Sequence, residues 1–198
     1  MAAVPHLYAI GAVALAYLLG SIPFSFLLGK LWGKDPGEVG SGNIGAANTF
    51  RNISPLAGLM SLFLDAGKGY LSVYIAAAAV PGVTAVPLLA ALAAVTGHNW
   101  MLFLKLRGGK GMATSAGALL ALSPWGVPVV LAVMIILVFL LRDTNTAGAL
   151  GMPALPFYLY FTFNCWTAFL VGALWAVVVM VKCRSDISAY RAGRRRLL

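Results

Sequence analysis

Residues 7–31 read LYAIGAVALAYLLGSIPFSFLLGKL, an apolar stretch in which Lys30 is the one charged residue. A hydrocarbon core of roughly 30 Å needs about 20 apolar residues in a helix, so this stretch is long enough to cross a membrane. The first twenty residues of the chain contain no Lys or Arg, and they therefore lack the basic start of a cleavable signal peptide. We expect the stretch to be retained as a membrane helix.

The rest of the chain has the same apolar character. Of its 198 residues, 61% are hydrophobic and 10% are charged, whereas soluble domains have roughly 45–50% apolar and about 25% charged residues. No Ser-rich, Pro-rich or repetitive linker divides it. We therefore predict an all-α integral membrane protein with a single domain over residues 1–198. The net charge of +9 lies in short runs between apolar segments, which indicates orientation in a membrane rather than a nucleic-acid partner.

Seven apolar segments predict seven transmembrane helices. The fourth segment is bounded by the glycines around Lys110 and by Ser123-Pro124, and it is too short to cross the hydrocarbon core alone. Some of the helices are therefore expected to be half-length or broken. The approximate bounds of the seven segments are 7–31, 56–80, 83–104, 112–122, 127–141, 147–163 and 166–181.

The basic residues mark alternate connections between these segments. The first, third and fifth connections carry Lys or Arg, for example Lys34, Lys105 and Arg142, and so does the C-terminal tail. The second, fourth and sixth connections carry none. By the positive-inside rule the N-terminus is predicted to lie outside and the C-terminus in the cytoplasm. One helix more or fewer would destroy this segregation, so it also supports the count.

A glycine-rich segment with polar side chains fills the first cytoplasmic connection. Residues 39–51 read VGSGNIGAANTFR. Glycines let backbone N–H groups approach a ligand, and such segments form anion-binding nests. A phosphate would fit this segment, but from the glycines alone an ordinary turn-rich loop is the favoured interpretation. The candidate phosphate-binding residues are Ser41, Gly42, Asn43, Gly45, Asn48 and Arg51.

A second cluster combines Gly97-His98-Asn99 with residues 107–111, RGGKG, directly before the short apolar segment. Backbone donors and a helix N-terminus converge there, and Lys110 adds a full positive charge. The upstream glycine spacing of a Walker A motif is missing. A basic loop that only sets topology would not explain three glycines around Lys110. We expect Gly108, Gly109 and Gly111 to contribute to a phosphate site.

Two ionisable residues lie inside the second apolar segment. Asp65 and Lys68 have the i, i+3 spacing that places both on one helix face. Charges inside a membrane usually face a bundle interior or an aqueous cavity. Lys68 is therefore a candidate phosphate ligand, and a buried structural pair is the alternative.

Four motifs resemble those of the bacterial acyl-phosphate-dependent glycerol-3-phosphate acyltransferases. They match in order and spacing, and the resemblance covers nearly the whole chain. It implies an enzyme of the bacterial inner membrane whose active site faces the cytoplasm. It also implies transfer of a fatty acyl group from acyl phosphate to glycerol 3-phosphate, which gives lysophosphatidic acid and phosphate in the first step of phospholipid synthesis. The motifs are residues 19–24 (LGSIPF), 39–45 (VGSGNIG) with Asn48 and Arg51, 64–69 (LDAGKG), and 97–98 (GH) with 108–114 (GGKGMAT).

Two segments depart from the family pattern. Where the family usually has Tyr-Val-Ser-Leu-Ala-Ser, residues 143–148 read DTNTAG, and where it usually has His-Arg-x-Asn-Ile-x-Arg, residues 183–189 read CRSDISA. Arg184 and Ile187 match in the second segment, and Arg184 is a candidate substrate ligand. Asp186 replaces an Asn, and an ionised carboxylate would repel a phosphate. We predict that it pairs with a cation, the candidates being Arg184, Arg191, Arg194, Arg195 and Arg196.

The chemistry suggests roles for these residues. Acyl transfer from an acyl phosphate needs neutralisation of two phosphates and of a developing oxyanion. Cationic side chains could supply this neutralisation, namely those of Arg51, Lys68, Lys110 and Arg184. The resemblance implies that the acceptor's own phosphate takes the hydroxyl proton, with His98 and Asp186 as alternative bases. The candidate catalytic residues are His98, Lys110 and Asp186.

The partners follow from this chemistry. We expect two small-molecule substrates, membrane lipid, a monomeric chain, and no metal or cofactor, since no cluster of metal ligands is visible. Two other functions stay open at this point. One is a small anion transporter or channel, because broken helices aimed at an anion are a transporter device. The other is a degenerate, non-catalytic family member, which the altered segments would favour.

Overall fold

The computed structural model describes residues 3–193, with side chains from His6 onward. Within that range the chain forms ten α-helices and no β-strand. Two 3-10 turns, Leu102–Leu104 and Met152–Ala154, interrupt the helical order. The helices are α1 (Ala3–Gly20), α2 (Phe24–Leu31), α3 (Ala46–Asn52), α4 (Pro55–Ala79), α5 (Ala85–Asn99), α6 (Met112–Leu122), α7 (Gly126–Leu141), α8 (Thr144–Gly151), α9 (Leu155–Phe163) and α10 (Trp166–Arg191).

The prediction of an all-α integral membrane fold with short and broken helices is confirmed. By length and composition, three segments in the described part are long and apolar enough to cross a membrane: His6–Leu31, Ala85–Leu104 and Trp166–Arg191. The short helix α6 has the predicted bounds, Met112–Leu122. The count of seven spans and the orientation of the termini stay predictions.

The first apolar segment is not one continuous helix, as its hydropathy predicts, but two. The break falls at residues 21–23, where Pro23 has no N–H to continue the hydrogen-bond ladder. Ser21 Oγ donates to the carbonyl of Tyr17 at 2.9 Å, and Lys68 Nζ donates to the carbonyl of Ile22 at 2.8 Å. The carbonyl freed at the break is thus satisfied by a buried cation, which makes an irregular backbone tolerable at this depth.

Two further differences from the predicted segments concern polar sequence. Residues 46–52, predicted as part of a loop, form α3. The sixth segment begins at Thr144 instead of residue 147, because Asp143 accepts a hydrogen bond from the N–H of Thr146 at 2.7 Å and caps α8. The segment then passes through the 3-10 turn at Met152–Ala154 before α9 begins.

Close packing of α4 on α6 fixes the position of the short helix. A Cβ at Gly69 would collide with the carbonyl of Thr114, and a Cβ at Gly117 would collide with the carbonyl of Ala66. Small residues of this kind let two membrane helices approach closely. The glycine-rich segment that precedes α6 is therefore held against the centre of the bundle.

Helix α7, in contrast, packs loosely on the rest of the molecule. Gly126, at its first turn, is its one fully buried residue. Beneath it lies a partly open cavity of about 90 Å³. We call this the apolar cavity; its lining comes from α6, α7, α8, the second 3-10 turn and α9, and is apolar apart from Ser115 and Tyr158.

Candidate active site

The two glycine-rich segments meet at one polar cavity. Arg51 from α3 and Lys110 from the segment before α6 both line it, and that they bind phosphate there stays a prediction. The remaining lining residues carry small or amide side chains, and we call this space the polar cavity. Its full lining is Ser41, Asn43, Ala47, Asn48, Arg51, Asn52, Lys110 and Asn145.

Asn48 organises the first glycine-rich segment from inside. It is 5% exposed; its amide donates to the carbonyl of Pro36 at 2.8 Å and to that of Val39 at 3.1 Å. Its Oδ1 accepts from the Ser41 N–H at 3.1 Å and from the Asn52 side chain at 2.9 Å. A buried amide that makes all four of its possible hydrogen bonds within the protein fixes the conformation of the segment.

The start of this segment is anchored by Asp35. Its carboxylate accepts the Gly37 N–H at 2.7 Å and lies 3.2 Å from Lys30 Nζ. Partial burial raises the pKa of this carboxyl, but the hydrogen bond from Gly37 and the charge of Lys30 outweigh that effect and hold the pKa below its usual value. Asp35 is therefore ionised at neutral pH.

The second glycine-rich segment lies directly against the end of α5. A Cβ at Gly108 would lie 2.6 Å from the carbonyl oxygen of Asn99, and a Cβ at Gly109 would lie 2.7 Å from that of Ile44 and would also collide with the His98 ring. The N–H of Gly109 donates to the carbonyl of His98 at 3.1 Å. The glycines thus allow a close approach that places Lys110 beside the first segment.

Lys110 has two side-chain partners, one from each segment that departs from the family pattern. Its Nζ lies 2.7 Å from Asp186 Oδ2 on α10 and donates to Asn145 Oδ1 on α8 at 3.2 Å. The prediction that Asp186 has a cationic partner is confirmed, and one such partner is Lys110, which was not among the predicted candidates. Arg191 is exposed, and Arg194, Arg195 and Arg196 lie outside the described residues.

Some predicted donors are already used within the segments. The N–H groups of Gly42 and Gly45 donate to the carbonyls of Val39 and Asn43 at 3.0 Å each, as that of Gly109 does to His98. Gly111 adopts a φ of +77°, which a side chain would disfavour, and begins α6 without a side-chain cap. At the polar cavity the donors that remain are therefore mainly side chains.

Besides Asp186 and the five predicted glycines, three predicted residues lie outside the lining of the polar cavity. Arg184 is exposed on α10. Lys68 and His98 are 4% and 3% exposed and belong to a network inside the bundle. Asp65 Oδ1 lies 2.8 Å from Lys68 Nζ and 3.4 Å from His98 Nδ1. This geometry corresponds to the alternative of a buried structural pair, extended by a histidine that supports Gly109.

Sequence reasoning did not identify Asn145. It lies in a segment that departs from the family pattern, and nothing in its local sequence indicates a contact with a lysine 35 residues away. Among residues 3–193, no group of three His, Cys, Asp or Glu side chains is placed to hold a metal ion.

Comparisons with known proteins agree on one family. Residues 10–193 match the model of the family described as glycerol-3-phosphate acyltransferase. The chain is 42% identical over 144 residues to glycerol-3-phosphate acyltransferase 1 of Moorella thermoacetica, covering 72% of this chain and 73% of that protein. It is 40% identical over 166 residues to glycerol-3-phosphate acyltransferase of Trichlorobacter lovleyi, covering 83% and 84%.

Two solved structures are similar to the whole fold. Both are crystal structures of PlsY (YgiH), an integral membrane glycerol 3-phosphate acyltransferase. The glycerol 3-phosphate form superposes with a TM-score of 0.87 at 30% identity, and the lysophosphatidic acid form with 0.84 at 28%. Each comparison covers 95% of this chain and 94% of the other. The chain therefore belongs to the glycerol-3-phosphate acyltransferase family.

Proposed function

We propose that this acyltransferase moves a fatty acyl group from acyl phosphate to a hydroxyl of glycerol 3-phosphate, which gives lysophosphatidic acid and phosphate. The observation that carries the proposal is the meeting of Arg51 and Lys110 at one polar cavity that adjoins the apolar cavity. Phosphate groups need charged donors, and an acyl chain needs an apolar surface. The two cavities together supply both.

The cavities adjoin through two chain segments. Lys110 lines the polar cavity and Met112, two residues later, lines the apolar one. In the same way, Asn145 lines the polar cavity and Gly148, three residues later, lines the apolar one. A donor whose phosphate binds Lys110 can therefore extend its chain along α6 under α7. An acyl chain in this position would also bury α7 residues that the protein itself leaves partly exposed.

The reaction then follows from placement of charges. The acceptor hydroxyl oxygen attacks the donor's carbonyl carbon, and the bond from that carbon to the phosphate oxygen breaks. Lys110 stabilises the negative charge on the carbonyl oxygen and on the leaving phosphate, and Arg51 binds the acceptor's phosphate. The hydroxyl proton passes to a substrate phosphate, so no protein base is required. His98 keeps a supporting position under Gly109, and Asp186 acts as the counter-ion of Lys110.

Turnover assays with defined donors test this function. Purified protein in lipid receives glycerol 3-phosphate with acyl phosphate, acyl-CoA or acylated acyl carrier protein in turn, and lysophosphatidic acid is measured. We expect lysophosphatidic acid to form with acyl phosphate as the donor and not with the other two donors. Product with acyl-CoA and none with acyl phosphate would contradict the donor assignment, and no product with any donor would contradict the activity.

Asp186→Asn is expected to lower the KM for glycerol 3-phosphate or leave it unchanged. The carboxylate competes with substrate phosphate for Lys110 Nζ, and the amide would not. The gain in apparent affinity should be at most about tenfold, since one charge-assisted bond to Lys110 is worth roughly 1.5 kcal/mol. Asp143→Asn is the control, because Asp143 lies in the other altered segment and caps α8 through the N–H of Thr146. A large loss of turnover with unchanged KM would instead make Asp186 a general base.

For the topology we propose seven spans with the N-terminus outside and the tail in the cytoplasm, in one domain over the whole chain. Trp125, in the turn between α6 and α7, is 76% exposed and suits labelling. In a variant without Cys165 and Cys183, Trp125→Cys should react with an impermeant reagent from the outside of intact cells. Labelling that requires permeabilised cells would mean that the count or the orientation is wrong.

A further inference from the structure

The apolar cavity has a defined far end. Along α6, Met112 is the lining residue nearest Lys110, and Leu119 is the one farthest from it. Because α7 returns antiparallel to α6, Val127 near its start lies at the same end as Leu119. Tyr158 of α9 also lines the cavity, and its ring lies against Gly126 at that end; a Cβ at Gly126 would contact both Tyr158 and Leu119.

The Tyr158 ring is fixed by contacts on two sides. Its hydroxyl lies 2.9 Å from Ser123 Oγ at the C-terminus of α6, and Ser123 is 8% exposed. A Cβ at Gly126 would lie 3.3 Å from Tyr158 Cε1, so the ring covers the first turn of α7. A tyrosine whose hydroxyl is hydrogen-bonded in an apolar setting is held in one orientation. The Tyr158 ring therefore forms a fixed wall at this end of the apolar cavity.

We propose that Tyr158, held by Ser123, closes the far end of the acyl-chain site and sets the length of acyl chain that the enzyme prefers. This inference rests on the proposed function, since the chain's occupancy of the apolar cavity is part of that proposal. The occupant that the wall meets is the methyl end of a fatty acyl chain whose phosphate or carbonyl group lies at Lys110.

The geometry gives an approximate preferred length. Helix α6 has 11 residues, so the path from Lys110 to the Tyr158 ring is about 16 Å. An extended chain advances roughly 1.2 Å per bond, as the extended backbone does. The methyl end of a saturated chain therefore reaches the wall after about twelve to fourteen carbons. Longer chains must bend or leave the cavity beside α7.

The test is a chain-length profile of kcat/KM. Saturated acyl phosphates from dodecanoyl to octadecanoyl, in steps of two carbons, are given to the wild type and to Tyr158→Ala and Tyr158→Leu. We expect the wild type to decline beyond the tetradecanoyl donor. In both variants the preference for octadecanoyl over dodecanoyl should rise by on the order of tenfold, which is the transfer preference of about two buried methylenes.

Matched controls separate the wall from a general loss of packing. Tyr158→Phe keeps the ring and should keep the wild-type profile, with at most a broader decline from loss of the Ser123 bond. Tyr160→Ala removes a ring of similar size that packs on Trp166, with a centroid distance of 5.0 Å, and does not line the cavity. It should leave the profile unchanged.

Two results would overturn the proposal. One is an unchanged octadecanoyl-to-dodecanoyl ratio in both Tyr158→Ala and Tyr158→Leu. The other is an equal shift in Tyr160→Ala. The ratio is measured with whichever donor class supports turnover, so a failure of the acyl phosphate assignment would be recognised separately.

Discussion

Lys110→Met is expected to lower kcat/KM by about a hundredfold to a thousandfold, the cost of removing one main donor to a developing oxyanion. Lys110 lies where the two glycine-rich segments meet, and its side chain also contacts α8 and α10. It lines the polar cavity, which lies beside the apolar cavity. Methionine keeps an unbranched side chain that is one atom shorter and removes the charge. Initial rates of phosphate release at varied concentrations of both substrates measure the effect.

The control for Lys110→Met is Lys105→Met. Lys105 lies in the same connection, is exposed and does not line the polar cavity, so its loss should change kcat/KM by less than about twofold. Lys110→Met also takes a cation from the buried Asp186. In the double variant with Asp186→Asn we expect thermal stability to recover while activity stays lost. Recovery of both would mean that Lys110 acts only as the counter-ion of Asp186.

Hydropathy predicted the parts of the fold that depend on lipid. The bounds of α6 were correct because Gly111 and Ser123-Pro124 end an apolar run on both sides. The break at residues 21–23 was missed because Ser21 and Pro23 lower the mean hydropathy too little to divide so long an apolar run, although Pro23 is a local signal for a break. What no local pattern reports is the partner across the bundle, Lys68, which satisfies the carbonyl of Ile22.

The sequence predicted two cations and two glycine-rich segments of the site. These features are recognisable from charge and glycine spacing within a short stretch of sequence. The contacts that complete it are not local. Asn145 and Asp186 reach Lys110 from α8 and α10. The two segments that depart from the family pattern therefore lie together in space, so their changes alter the surroundings of one lysine. This explains how both segments can differ while the cation itself remains in the cavity.

Gly109→Ala is expected to lower kcat/KM by at least about tenfold, and by up to about a hundredfold if Lys110 moves by an ångström. The new Cβ would lie 2.7 Å from the carbonyl oxygen of Ile44 and would collide with the His98 ring. Because backbone lies on one side and a buried ring on the other, the segment can accommodate the added methyl group only by moving. That movement displaces Lys110, the next residue, from the first glycine-rich segment.

Gly67→Ala is the matched control, since a Cβ there meets no atom within 4 Å and alanine favours a helix. It should keep full activity and equal or greater thermal stability. The double variant Gly109→Ala with His98→Ala distinguishes the two collisions. Because the Ile44 carbonyl is backbone and cannot be shortened, removing the imidazole should not restore activity. Full recovery in the double variant would mean that the ring alone sets the position of the loop, and the backbone contact at Ile44 would carry none of the effect.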